Sequence, residues 1–178
     1  PPPRLDLVLV GGGHAHVSVL RSFGMKPEPG VRLTLVAKEL EAPYSGMLPG
    51  LVAGHYSHVD CHIDLVRLAR FANARLIHGS ATGIDRTRRR VLLDGRPPLA
   101  FDLLSLDVGI TPALAAIKGA TEHGIAVKPI SSLMPRLRKI DELLASPGGG
   151  RSIAVVGAGA AGFELAHAFR HRFADRAG

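Results

Sequence analysis

The chain has 178 residues, 46% hydrophobic and 21% charged, a globular mix that excludes a disordered tail protein. Its single cysteine excludes a disulfide framework, a four-cysteine zinc site and an internal redox dithiol. No apolar run reaches the ~18 residues needed to cross a bilayer. Lys and Arg number 22 against 15 Asp and Glu, a formal charge of +7. With no Trp, two Tyr and six Phe, the chain offers no stacking platform that would turn this surplus into a nucleic-acid reading. The charge suits the phosphates of a cofactor or an acidic membrane surface equally well. Pro1-Pro2-Pro3-Arg4 carries no apolar signal region, so a cytoplasmic protein is expected.

Residues 5–10 are an apolar run ending in Gly11-Gly12-Gly13 and read as a buried parallel strand. Helical spacing follows to about Phe23, a Pro/Gly loop occupies 27–30, and 31–36 alternates as a second strand, which makes one βαβ unit. Residues 41–50 are too rich in Pro and Gly for regular structure and are expected to be a long functional loop. Residues 64–72 have apolar side chains at i, i+3, i+4 and i+7, with Asp64 as N-cap and Asn73 as a left-handed stop. A strand starts at 75–78. Residues 89–93 and 99–101 flank an Asp94-Gly95 turn, and the run Arg86 to Arg90 is expected at a solvated hairpin end. Residues 102–108 return as a buried strand.

The expected division is a first domain over 1–112, a connector over 113–150 and the start of a second domain over 151–178. The connector holds a short strand at 125–127, a helix at 133–144 and the flexible stretch 146–150. Residues 152–156 read as a strand, 157–162 as a tight turn and 163–173 as a helix. A nucleotide-binding unit needs a further parallel strand to bury that helix. None remains before Gly178 and the chain has no initial Met, so a piece of a longer protein is expected.

Gly157-Ala158-Gly159-Ala160-Ala161-Gly162 is a full G-x-G-x-x-G between a strand and a helix, the context that motif requires. Gly157 permits the sharp turn, Gly159 lets backbone approach a pyrophosphate, and Gly162 lets helix and strand pack closely. The helix end supplies N–H groups and partial positive charge. Gly11-Gly12-Gly13-His14-Ala15-His16 repeats the pattern with His16 as third glycine, where a side chain is expected to hold the helix off the strand. The acidic residue that would grip a ribose is missing at Ala37, and Glu39 stands near in its place.

Two such motifs in one chain resemble the FAD-dependent pyridine nucleotide-disulfide oxidoreductase superfamily, nearest its type II NADH dehydrogenase-like branch. The phrase from Pro43 to Gly50, with Gly54-His55-Tyr56 after it, is similar to a subfamily often fused to selenide, water dikinase. The resemblance implies a Rossmann-like α/β FAD domain, with a parallel sheet and a β-meander, followed by the first βα unit of an NAD(P)H domain. It implies that Gly11, Gly12, Gly13, His14 and Ala15 lie under the FAD pyrophosphate, Lys38 and Glu39 by the adenosine ribose, and Met47, Leu48 and Pro49 beside the isoalloxazine. Ala81 would meet the adenine. Val108 and Gly109 fall where the family has Ala-Thr-Gly near the flavin, although Asp107 and Val108 depart from that pattern. Gly157, Gly159, Gly162 and Glu164 match the NAD(P)H motif.

The implied chemistry is hydride transfer from NAD(P)H to FAD and onward to a small-molecule acceptor, with no catalytic side chain required. The alternative is a non-catalytic nucleotide-binding module that has lost flavin through its altered His16, Ala37, Asp107 and Val108. The piece alone is expected to be inactive. Peripheral membrane contact and oligomerisation stay open. His14, His16, His55, His58, Cys61, His62, His167 and His171 lack a metal-motif frame and read as loop, turn and solvated-face residues, with Cys61 an inert thiol.

Overall fold

The protein is described by a computed structural model that places residues 3–110, 113–145 and 152–174. By packing, the chain divides into one unit of Pro1–Ala42 and His62–Gly109 and a second of Pro43–Cys61 and Ile110–Gly178. This groups residues 43–61 with the later part of the chain, across the sequence-based division. The expected boundary at 146–150 and Pro112 lie outside the described residues.

The first unit is an α/β fold. β1 (Leu5–Val10), β2 (Val31–Ala37), β5 (Arg75–His78) and β9 (Leu103–Leu106) form a parallel sheet in the order β5-β2-β1-β9. α1 (His14–Met25) links β1 to β2. β3 (Glu41–Pro43) and β4 (His62–Asp64) pair as a two-stranded ladder, and α4 (Leu65–Phe71) leads on to β5. β6 (Ala81–Asp85), β7 (Arg90–Leu93) and β8 (Arg96–Ala100) form an antiparallel meander between β5 and β9.

Strand alternation sorts the core into two layers. Leu9, Leu33, Leu35 and Ala37 cluster with Leu20 of α1 and Leu65 of α4. Val8, Val10 and Val36, one residue out of phase, cluster with Val91 of β7 and with Leu99, Phe101 and Leu104. A parallel sheet covered on both faces needs this apolar run in its central strands. Asp64 caps α4 as expected, its Oδ1 accepting from the N–H groups of Val66 (2.8 Å) and Arg67 (3.0 Å). Asn73 takes φ +50°. The arginine run is exposed at the β6–β7 turn, where Asp85 accepts from the Arg88 N–H at 2.9 Å. β8 forms despite Pro97 and Pro98 because it is an edge strand, whose outer side needs no donors.

The second unit is helical. Residues 41–50 are not one loop: after β3 comes a single 3-10 turn, Ser45–Met47, and then α2 (Leu48–Ala53). Pro49 reads as a breaker in sequence but sits at the first turn, where its missing N–H costs nothing. Gly54 closes α2 at φ +89°. α3 (His58–Cys61) and α5 (Ala120–His123) are single turns, and α6 (Ile130–Ala145) is longer than expected and contains Pro135. α7 (Ala160–Arg172) packs Leu165 and Ala168 against Leu48, Leu51 and Val52 of α2 and Leu133 and Leu137 of α6. The strands expected at 125–127 and 152–156 are not formed. A strand exists only by its ladder, and no described residue pairs with either segment.

Candidate functional site

Both glycine turns fold as strand-end or loop-end bends that open a helix. In the first unit, Gly11 takes φ +99° and donates its N–H to the Val36 carbonyl at 2.8 Å, which ties the turn to the end of β2. Gly13 is the N-cap of α1 in extended conformation with no cap of its own. A Cβ on Gly12 would lie 2.5 Å from Leu65 Cδ1, so α4 closes over this side of the turn.

The carboxyl ends of β1, β2 and β9 therefore meet at Gly11–Ala15, Lys38-Glu39 and Asp107–Gly109. Ligands of such sheets bind at that edge. Lys38 and Glu39 are exposed, and the Lys38 carbonyl accepts from His78 Nε2 at 3.0 Å. Ala81 opens β6 and is exposed. Val108 is exposed, and Gly109 has φ +72° with open space about it.

His16, the side chain that replaces the third glycine, is buried between the turn and β9. Its ring is only 1% exposed and bridges two elements. Nδ1 lies 2.7 Å from the Gly11 carbonyl and Nε2 2.9 Å from Ser105 Oγ. A carbonyl can only accept, so Nδ1 carries the proton and Nε2 accepts from the serine hydroxyl. The ring thereby ties the glycine turn to β9.

Asp107, noted in the sequence only as a departure from the family pattern, has a capping role that sequence reasoning missed. Its backbone carbonyl accepts from the Gly13 N–H (3.3 Å), and its Oδ2 accepts from the N–H groups of Ala15 (2.9 Å) and His16 (3.3 Å). The carboxylate acts as the N-cap that Gly13 cannot supply, and negative charge is favoured at this helix end. The only sequence signal was its departure from the family's alanine. A Cβ on Gly13 would lie 2.2 Å from the Asp107 Cγ and Oδ2. The space that the second glycine leaves open for a pyrophosphate is thus filled by an internal carboxylate. The bend fits a dinucleotide phosphate in backbone geometry, but the α1 amides as they stand do not.

The second turn differs. Gly157 takes φ +119°, Gly159 caps α7, and a Cβ on either would meet nothing within 4 Å. A Cβ on Gly162 would fall 2.0 Å from the Gly157 carbonyl oxygen. Gly162 therefore leaves room for the Gly157 carbonyl inside the turn, and the space over Gly157 and Gly159 is open. Glu164 is exposed. At the far end of α7, Arg172 donates from Nη1 to the Val52 carbonyl (2.9 Å) and from Nε to Asp141 Oδ1 (3.0 Å), and that carboxylate pushes the guanidinium pKa further up.

Met47, Leu48 and Pro49 lie in the second unit, Met47 closing the 3-10 turn and the other two starting α2. Leu48 is buried in that unit's core, and Met47 packs against it. Cys61 is buried, and desolvation together with the Asp60 charge pushes its thiol pKa up, which keeps it a thiol. His55 and His171 place their rings 4.5 Å apart, and His167 meets Phe163 edge-on at the same distance.

Comparison with known proteins matches residues 5–176 to the family described as pyridine nucleotide-disulphide oxidoreductase. The NADH dehydrogenase-like protein YutJ of Bacillus subtilis (strain 168) is 26% identical over 169 residues, which are 92% of this chain and 44% of that protein. Among solved structures, a NAD-dependent persulfide reductase from A. fulgidus superposes with a TM-score of 0.75 at 24% identity, over 94% of this chain and 32% of that one. The sulfide:quinone oxidoreductase of Aquifex aeolicus gives 0.74 at 19% identity, over 97% and 40%. At these identities the structures speak for the fold. The chain spans less than half the length of each of these relatives.

Proposed function

The chain belongs to the pyridine nucleotide-disulphide oxidoreductase family, and from that membership we propose that it is part of a flavoenzyme that passes a hydride from NAD(P)H to FAD and electrons on to a small-molecule acceptor. The observation that carries this reading is the repeated glycine bend, at Gly11–His16 and Gly157–Gly162, each opening a helix within a chain that matches the family over nearly its whole length. The nicotinamide cofactor would lie over Gly157 and Gly159, where no Cβ or neighbouring atom intrudes. The protein's part is to hold and orient the dinucleotides and exclude water, while the flavin supplies hydride acceptance when bound.

Within these 178 residues Cys61 has no second cysteine to form a dithiol with, which supports a reading in which this part hands no electrons to a disulfide. No helix among the described residues is long and apolar enough to cross a membrane. The +7 charge supports peripheral contact with an acidic membrane surface, where an apolar acceptor would reside. The test is oxidation of NADH or NADPH by the whole protein with FAD and an artificial electron acceptor, followed by loss of reduced-nicotinamide absorbance. Turnover that requires FAD supports the reading, and no turnover with either nucleotide overturns it.

A second reading is favoured by one observation. The Asp107 carboxylate already holds the α1 amides, as it would in a nucleotide-binding module without flavin. Such a protein would stay colourless when FAD is added.

A further inference from the structure

We propose that Asp107 is a built-in competitor for the phosphate cradle of the first unit, and that it sets how tightly a dinucleotide binds there. The proposal rests on the reading of that unit as a flavin site. The turn has the features that phosphate recognition needs: a left-handed Gly11, a Gly13 without a side chain, and a twelve-residue helix starting at His14. What distinguishes it from the second turn is its content. Over Gly157 and Gly159 the space is open, whereas over Gly13 the Asp107 carboxylate fills the volume that a Cβ would enter.

Three features hold the carboxylate there. The Gly13 N–H bonds to the Asp107 carbonyl, Oδ2 takes the amides of Ala15 and His16, and His16 clamps β9 to the turn through Ser105 and Gly11. Each amide carries one proton, so an amide given to Oδ2 is not available at full strength to a phosphate oxygen. A phosphate placed beside the carboxylate also meets like-charge repulsion, and the carboxylate already answers the positive end of α1. A pyrophosphate that engages Ala15 must therefore displace the side chain, and the observed affinity is lowered by what that displacement costs.

The test uses the whole protein stripped of flavin, as wild type and as Asp107→Asn and Asp107→Ala. Asn keeps an oxygen to cap α1 while removing the charge, and Ala empties the space. FAD and riboflavin, which lacks the pyrophosphate, are titrated against each, and far-ultraviolet circular dichroism checks folding. Hydrogen bonds to charged groups contribute ~1.5–3 kcal/mol, so both variants should bind FAD at least ~tenfold more tightly, with riboflavin affinity unchanged. Equal or weaker FAD binding by folded variants, beside a wild type that binds FAD, overturns the proposal and leaves the flavin reading standing. Absence of FAD binding by all three overturns the flavin reading of this unit and the proposal with it. Independently of any variant, a crystal structure of the FAD-bound wild type should show the Asp107 side chain withdrawn from the Ala15 N–H, and FAD bound with that hydrogen bond intact contradicts the proposal.

Discussion

His16 and Gly162 occupy the same place in their two motifs and solve the same packing problem by opposite means. A Cβ at Gly162 would strike the Gly157 carbonyl oxygen at 2.0 Å, so that position stays empty. His16 instead turns the corresponding Gly11 carbonyl into a hydrogen-bond acceptor at 2.7 Å and reaches Ser105 with its other nitrogen. His16→Ala removes both bonds and leaves a partly buried acceptor unpaired, which costs ~1–3 kcal/mol. A clear fall in the urea midpoint of unfolding is the expected result, and an unchanged midpoint would mean that the ring ties nothing together. Gly162→Ala has no such remedy and should both lower stability and weaken NADH binding. Gly159→Ala meets open space in the folded chain. It should leave the melting temperature unchanged while raising the NADH Kd, by roughly tenfold for loss of one charge-assisted contact. Equal NADH affinity in Gly159→Ala would move the nucleotide away from this helix end.

At the scale of elements, short helices depend on their ends. α4 has seven residues and a capping carboxylate that holds two of its amides. Asp64→Ala should cost ~1 kcal/mol, read as a lower thermal midpoint, and no loss would contradict the cap. This element was legible in the sequence because all its determinants are local: the i, i+3, i+4 apolar spacing, Asp64 before it and Asn73 after it. The parallel sheet was legible for a similar reason, since the β1 and β2 runs are apolar on both faces. α2 was not, because Pro49 and Gly50 give the same local signal in a loop and in a first helical turn. Residues 152–156 read as a strand from their composition, yet a ladder depends on a distant partner that local pattern cannot supply. The pairing of Asp107 with His16, 91 residues away, is likewise invisible to local spacing. The sequence marked the bend, the helix and Asp107 as an altered residue, but not that this carboxylate sits on the α1 amides.

On the scale of the whole molecule, three aspartates among the described residues contribute to the acid response. The Arg32 guanidinium holds Asp6 below the ordinary carboxylate pKa, Ser57 does the same for Asp60, and the Arg88 backbone and side chain do so for Asp85. A carboxylate depressed in the folded state contributes stability above its unfolded pKa of about 3.9, and that contribution is lost as pH falls through the lower folded value. The part of the thermal midpoint due to these groups should stay flat through neutral pH and fall only below about pH 4. Replacing all three by Asn should flatten that acid limb, and an unaltered limb would contradict the assignment.

The 152–156 segment, which pairs with no described residue, bears on activity at this scale as well. Residues 1–178 alone should oxidise NADH no faster than free flavin, and turnover above that control would show that the nicotinamide site is complete without further chain. The central claim, a flavoenzyme reduced by a nicotinamide nucleotide, is tested most directly by the visible absorbance spectrum of the whole protein, reconstituted with FAD and freed of unbound cofactor under anaerobic conditions. Flavin bands that bleach on adding NADH or NADPH and return with an oxidant are the expected result. A protein that retains no flavin, or whose bound flavin keeps its oxidised spectrum with both nucleotides, would contradict it.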